Sequence, residues 1–272
     1  MIVFLHGGPG GDYRAMLRMA GRHDGYSLAD DHFLIFWDQR GTGLSRRHNR
    51  DVLTIERYTA DLDSLIARYS PSRPVVLVGH SWGGMYATHY INERAERVAG
   101  AVLIEPGPLD GATMERLEDD IAGFDFGAEW LNDVAWSSQF LSPDDHARMD
   151  YTRLIGMRRS QPKYHLSTQD PEPSWRLGAA AARYVMEDGQ DHDGQFDYDF
   201  TTNLASYTRP VLFLTGALSE VLGESLQRSQ VHRFPSATLH VVSGAGHDVQ
   251  WVKAGDVVAL IRSYLDTMGD IR

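Results

Sequence analysis

The sequence predicts an α/β fold built on a parallel sheet. Two observations carry this reading. Short, near-continuous apolar runs recur at Ile2–Leu5, Phe33–Trp37, Pro74–Gly79, Ala101–Glu105, Pro210–Thr215 and Thr238–Val242, as expected of strands covered on both faces. Between them lie stripes of helical period. Ile55, Tyr58, Leu62, Leu65, Ile66 and Tyr69 recur at three and four residues, and so do Val257, Val258, Ile261, Tyr264, Leu265 and Met268 near the C-terminus. Strands alternating with amphipathic helices imply crossover connections and parallel pairing.

The charge pattern sets the domain organisation. The chain has 272 residues and a net charge of −11. Residues 108–203 hold 19 Asp and Glu against 8 Lys and Arg, whereas the remainder is balanced at 18 of each. This block is also rich in Gly, Pro and Asp. It has helical stretches at Met114–Ile121, Pro143–Arg159 and Trp175–Met186 and no convincing strand. It reads as an insertion, a helical cap over 108–203, in a core formed by 1–107 and 204–272.

Composition excludes several classes of function. An apolar content of 42% rules out a disordered chain. The acidic balance argues against nucleic acid as a partner. No apolar run reaches the length of a membrane span, so no membrane partner is expected. Without cysteine there are no disulfides, thiolate metal sites or cysteine nucleophiles. No signal peptide precedes Ile2–Leu5, which makes the cytoplasm the expected compartment. The oligomeric state is not legible.

Gly79-His80-Ser81-Trp82-Gly83 matches a G-x-S-x-G turn between a strand and a helix. That setting distinguishes a nucleophile elbow from a chance match. The turn is too tight for side chains two residues either side of Ser81, and it lifts the hydroxyl to a helix N-terminus. His6-Gly7-Gly8-Pro9-Gly10 follows the first strand, and its glycines let backbone approach a ligand. The N–H groups of Gly8 and Trp82 would make a two-donor oxyanion hole. A phosphate loop is disfavoured because no Lys-Ser/Thr follows.

A serine nucleophile needs a base. Of twelve histidines, only His247 stands just past a late strand with a helix after it, and it is the last in the chain. His6 and His80 abut backbone turns, where packing roles are expected. His89, His146 and His192 lack a comparable setting.

Together His6–Gly10, Trp37-Asp38-Gln39-Arg40-Gly41-Thr42-Gly43-Leu44-Ser45 and Gly79–Gly84 resemble the α/β-hydrolase superfamily, most closely its proline iminopeptidase branch. The resemblance covers about 1–107 and 204–272. It implies an α/β-hydrolase fold, a mostly parallel sheet flanked by helices with an inserted helical cap. Strands that such chains usually carry ahead of His-Gly-Gly are missing from this sequence. It also implies Ser81 as nucleophile, His247 as base, Gly8 and Trp82 as oxyanion donors, and no cofactor or metal. Asp38 and Arg40 would shape the loop beneath the site. The acid usually stands three residues beyond the Gly that ends the fifth strand; that position is Ser219, with Glu220 next. Glu220 is the favoured acid and Glu105, ending the preceding strand, the alternative. The branch's Trp-Glu cap motif is not found, since Trp130 follows Glu129 in the opposite order.

These readings converge on a serine hydrolase that cleaves an ester or amide of a small molecule or short peptide through an acyl-enzyme. The alternatives are a carboxylesterase, a carbon–carbon bond hydrolase and, from another class, a non-catalytic receptor on the same scaffold. The acidic cap is expected either to favour a cationic amine, with Glu187 and Asp188 as its binding residues, or to serve solubility.

Overall fold

Ile2–Leu5 (β1) is buried at every position, and its alternation shows why. Val3 and Leu5 face one apolar cluster while Ile2 and Phe4 face another on the opposite side of the sheet. The computed structural model describes residues 1–121, 144–153 and 176–269. Leu34–Phe36 (β2), Val75–His80 (β3), Val98–Ile104 (β4), Val211–Gly216 (β5) and Ala237–Val242 (β6) join β1 in one six-stranded sheet of order β2-β1-β3-β4-β5-β6. Every pairing is parallel.

The predicted strands match these elements with small shifts at the ends. Phe33, placed in a strand by its hydrophobicity, is 59% exposed and precedes β2. β4 begins earlier than expected, at Val98, which pairs with Val75 of β3, and at Gly100 Tyr264 and Met268 pack against the strand. A Cβ there would stand 2.2 Å from the Tyr264 hydroxyl.

One face of the sheet is covered by Ile55–Tyr69 (α1) and Trp82–Arg94 (α2). Thr54 caps α1 by accepting from the Arg57 N–H, and Tyr58, Leu62 and Ile66 form its buried stripe. Truncating Ile66 would cost about 2–5 kcal/mol, the usual penalty for a cavity in a packed core. α2 is buried almost all round, as the helix behind a central strand must be. The opposite face is covered by the 3₁₀ helix Tyr13–Ala20, through Met16 and Met19, and by the C-terminal helix Ala254–Thr267, through Val257, Val258, Ile261 and Tyr264.

Within 108–203 the described residues form helices and no strand beyond isolated bridges. Gly111–Ile121 (α3) contains the predicted Met114–Ile121. Residues 145–153 are helical, and the rest of the predicted Pro143–Arg159 lies outside the described residues. Trp175 is also outside them, and the helix expected from there begins later, as Ala179–Asp188 (α4). Its start is fixed by two contacts: Gly178 donates to the Gly10 carbonyl, and the Asp150 carboxylate accepts from the Ala179 N–H at 2.9 Å. No helix among the described residues is long and apolar enough to cross a membrane.

Candidate active site

The carboxyl ends of the strands gather the chemistry, as expected in an open parallel sheet. Ser81 follows β3 directly and has φ 53° and ψ −120°, a conformation that costs a non-glycine residue about 1–3 kcal/mol. The elbow is held by the Ser81 N–H donating to the Ile104 carbonyl and by the Ser81 carbonyl accepting from Gly84 and Met85. Its glycines are obligatory. A Cβ on Gly79 would stand 2.2 Å from the Gly83 carbonyl oxygen, and one on Gly83 would stand 2.0 Å from that of Leu5. Trp82 opens α2, so its N–H has no acceptor within the helix. Gly7 packs against the elbow, with its Cβ position 3.2 Å from Ser81 Cβ, which brings the neighbouring Gly8 to the same end of the sheet.

The carboxylate that meets His247 is Glu105. Its Oε2 accepts from His247 Nδ1 at 2.8 Å and from the Ser219 hydroxyl at 2.8 Å. Oε1 accepts from the Thr215 hydroxyl at 2.8 Å and the Gly216 N–H at 2.6 Å. Glu105 is fully buried and has φ 42°. This left-handed turn at the end of β4 swings the side chain across the top of β5 toward His247. Four donors replace the water that a buried carboxylate loses.

The expectation for Glu220 is therefore corrected. Glu220 is exposed on the loop after β5, and the position where an acid was anticipated is filled by Ser219. The extra methylene of Glu220 has nothing to reach, because His247 Nδ1 already donates to Glu105.

His80 joins the elbow to the loop that carries His247. Its Nε2 lies 2.8 Å from the His247 carbonyl oxygen, which can only accept, so Nε2 carries the proton. Nδ1 then accepts from the Gln250 amide at 3.2 Å. The two imidazole rings sit 4.6 Å apart. A residue next to Ser81 thus grips the loop that carries His247. Replacing His80 with Ala should lower kcat about 10- to 100-fold by misplacing the imidazole, with KM little changed. His80→Gln, which keeps an amide donor, should recover part of the loss in steady-state kinetics.

Beneath the site, Gln39 ties three segments together. Its N–H donates to His6 Nε2 at 3.1 Å, its amide donates to the His6 carbonyl, and its Oε1 accepts from the Trp82 indole at 3.0 Å. Burial pushes the pKa of His6 down, consistent with an imidazole that serves as an acceptor in this position. Asp38 accepts from the N–H groups of Tyr13 and Leu44, and Arg40 makes a two-pronged pair with Asp61. Asp38 and Arg40 thus shape this loop, as anticipated. The roles of Gln39 and His80 were missed, although Gln39 stands inside the Trp37–Ser45 motif.

Glu187 and Asp188 do not face the elbow, which corrects the amine-binding expectation. They form the last turn of α4, whereas its first residues contact Gly10. At 1.5 Å per residue the two ends of this helix are about 13–15 Å apart. Glu187 pairs with Arg183 and Arg50, and Asp188 accepts from the Ile55 N–H at the start of α1. With Asn49, Arg50 and Tyr184 they line a separate surface pocket of about 560 Å³.

Fold and site together define the class. The chain belongs to the alpha/beta hydrolase fold family, whose model matches residues 1–254. Among its relatives, "Proline iminopeptidase PfmaB" of Pestalotiopsis fici is 24% identical over 98% of this chain and 92% of its own length. "Esterase YbfF" of Escherichia coli is 26% identical over 88% and 85%. The crystal structure of proline iminopeptidase from Mycobacterium smegmatis superposes with a TM-score of 0.67 at 16% identity, covering 98% of this chain and 89% of that one. The chain is an alpha/beta hydrolase similar to both proline iminopeptidases and esterases.

Proposed function

We propose that this chain is a serine hydrolase that cleaves an ester or amide of a small substrate through an acyl-enzyme. The observation that carries the reading is the 2.8 Å bond from His247 Nδ1 to the buried Glu105, at the same end of the sheet as the strained Ser81 elbow. Glu105 fixes the tautomer with its proton on Nδ1, which leaves Nε2 of His247 as a base. Ser81 Oγ attacks the substrate carbonyl while its proton passes to Nε2. The N–H groups of Gly8 and Trp82 stabilise the oxyanion, a term worth about 3–4 kcal/mol per donor in such sites. His247 then protonates the leaving alcohol or amine as its bond to carbon breaks. Water attacks the acyl-serine by the same exchange, releasing the acid and restoring the Ser81 hydroxyl. No step calls on a cofactor or a metal.

The ester reading leads. The two carboxylates expected to bind a substrate amine are engaged in ion pairs and helix capping at the far end of α4. The aminopeptidase reading keeps the His-Gly-Gly-Pro-Gly loop and the similarity to proline iminopeptidases in its favour. A fluorophosphonate probe should label Ser81 stoichiometrically, and absence of labelling would favour the non-catalytic receptor. A panel of p-nitrophenyl esters and aminoacyl-naphthylamides, the prolyl one included, then ranks the two hydrolase readings. Turnover of the prolyl amide above every ester would put the aminopeptidase first.

A further inference from the structure

The described helix over 145–153 sets Asp150 against Arg47 and Arg153 against the loop that leads away from Gly8. Arg47 Nη2 pairs with Asp150 Oδ2, and the other oxygen of Asp150 accepts from the Ala179 N–H. Both carboxylate oxygens are thus engaged. Arg153, on the same helix as Asp150, makes a single long bond among the described residues, from Nη2 to the Pro9 carbonyl at 3.5 Å. Arg47 Nη1 is buried and has no acceptor among the described residues. Arg47 thus holds Asp150, and among the described residues Arg153 has no carboxylate of its own within ion-pair distance.

We infer that Arg153 is a specificity-determining residue that binds a carboxylate of the substrate, so that the preferred substrates are acidic esters such as half-esters of dicarboxylic acids. This rests on the hydrolase reading above. Pro9 is the residue after Gly8, so Arg153 is joined to the oxyanion loop itself. Gly7, which touches the elbow, and Pro9 are at most about 7–8 Å apart between Cα atoms. An anionic group a few bonds from the reacting carbonyl falls within that reach. A guanidinium presents five donors in a planar fork suited to a carboxylate, and Arg153 commits one of them to Pro9. Burial also pushes its pKa down, with Asp150 opposing the shift. The folded protein thus already bears the cost of desolvating this cation, and an incoming anion recovers part of it. The acidity of the block as a whole points toward cations, but the side chain from it that is hydrogen-bonded to the residue after Gly8 is the cation of Arg153.

The test compares the mono-p-nitrophenyl ester of glutaric acid with its neutral, methyl-capped counterpart. The acidic ester should have the higher kcat/KM by about ten- to a hundredfold, the range expected for hydrogen bonds to a charged group. Arg153→Gln should bring that ratio close to one, and Arg153→Lys should retain part of it. A ratio near one in the unsubstituted protein, or a ratio unchanged by Arg153→Gln, overturns the inference. Calorimetry on the Ser81→Ala protein gives a second readout that needs neither turnover nor a change at Arg153. Monomethyl glutarate should bind more tightly than dimethyl glutarate, and equal binding overturns the inference. Tighter binding of the acid by a protein whose Ser81 resists fluorophosphonate would leave the anion site standing and overturn the hydrolase reading.

Discussion

Replacing Ser81 with Ala should lower kcat by about 10⁶-fold, to the level that oxyanion donors and substrate binding sustain alone. The size follows from how the parts depend on one another. Without the hydroxyl, the His247–Glu105 pair has no nucleophile to deprotonate, and attack falls to unassisted water. The fold should survive, because the elbow is held by backbone bonds from Ser81 and by the close approach of Gly79 and Gly83 rather than by the hydroxyl. Thermal melting together with steady-state rates on the best ester of the panel tests both halves. A variant that melts like the parent yet keeps a tenth of its rate would remove Ser81 from the mechanism.

Glu105→Gln should lower kcat by about 10³–10⁴-fold, the loss seen when a triad acid becomes an amide. The hydrogen bonds around Glu105 dictate how. One side of the carboxylate faces the Gly216 N–H, which cannot reverse its role, and the Thr215 hydroxyl. The amide oxygen of a glutamine must therefore stay on that side. Its NH₂ then points at His247 Nδ1 and the Ser219 hydroxyl. Nδ1 becomes an acceptor, the proton moves to Nε2, and the base is blocked. Glu220→Gln, on the exposed loop, should leave kcat within about twofold of the parent, as exposed polar changes usually do. Should Glu220→Gln impose the larger loss, the acid would have to be reassigned to the loop after β5.

The contrast between Glu105 and Glu220 marks where the sequence stops being informative. Strands buried on both faces were legible because their composition is local, and the elbow was legible because its glycines answer to contacts within a few residues. The choice of acid depends on where two strand ends stand relative to one another, on the left-handed turn at Glu105, and on Ser219 acting as a donor. None of these has a local signature. His80 is similar: a histidine before a nucleophile looks the same whether or not a loop 167 positions away closes on it. Glu187 and Asp188 were misplaced for a related reason. Net charge over a block does not say which end of a helix its carboxylates occupy, and in this fold Arg50, Arg183 and the start of α1 claim them.

The assembled site also has a timetable. Ser81 and Glu105 both lie in the first 105 residues, on adjacent strands, and their segment can pair soon after it is made. His247 is separated from Glu105 by 142 positions along the chain, and the donors at Thr215, Gly216 and Ser219 arrive only with β5 and the loop after it. Because chains emerge N-terminus first and distant contacts close late, the Ser81 elbow is built well before His247 can reach it. A nascent or C-terminally truncated chain would therefore hold Ser81 without the base proposed to activate it. On the proposed mechanism, hydrolytic activity switches on only when the last quarter of the polypeptide docks, which would make turnover itself a reporter of completed folding.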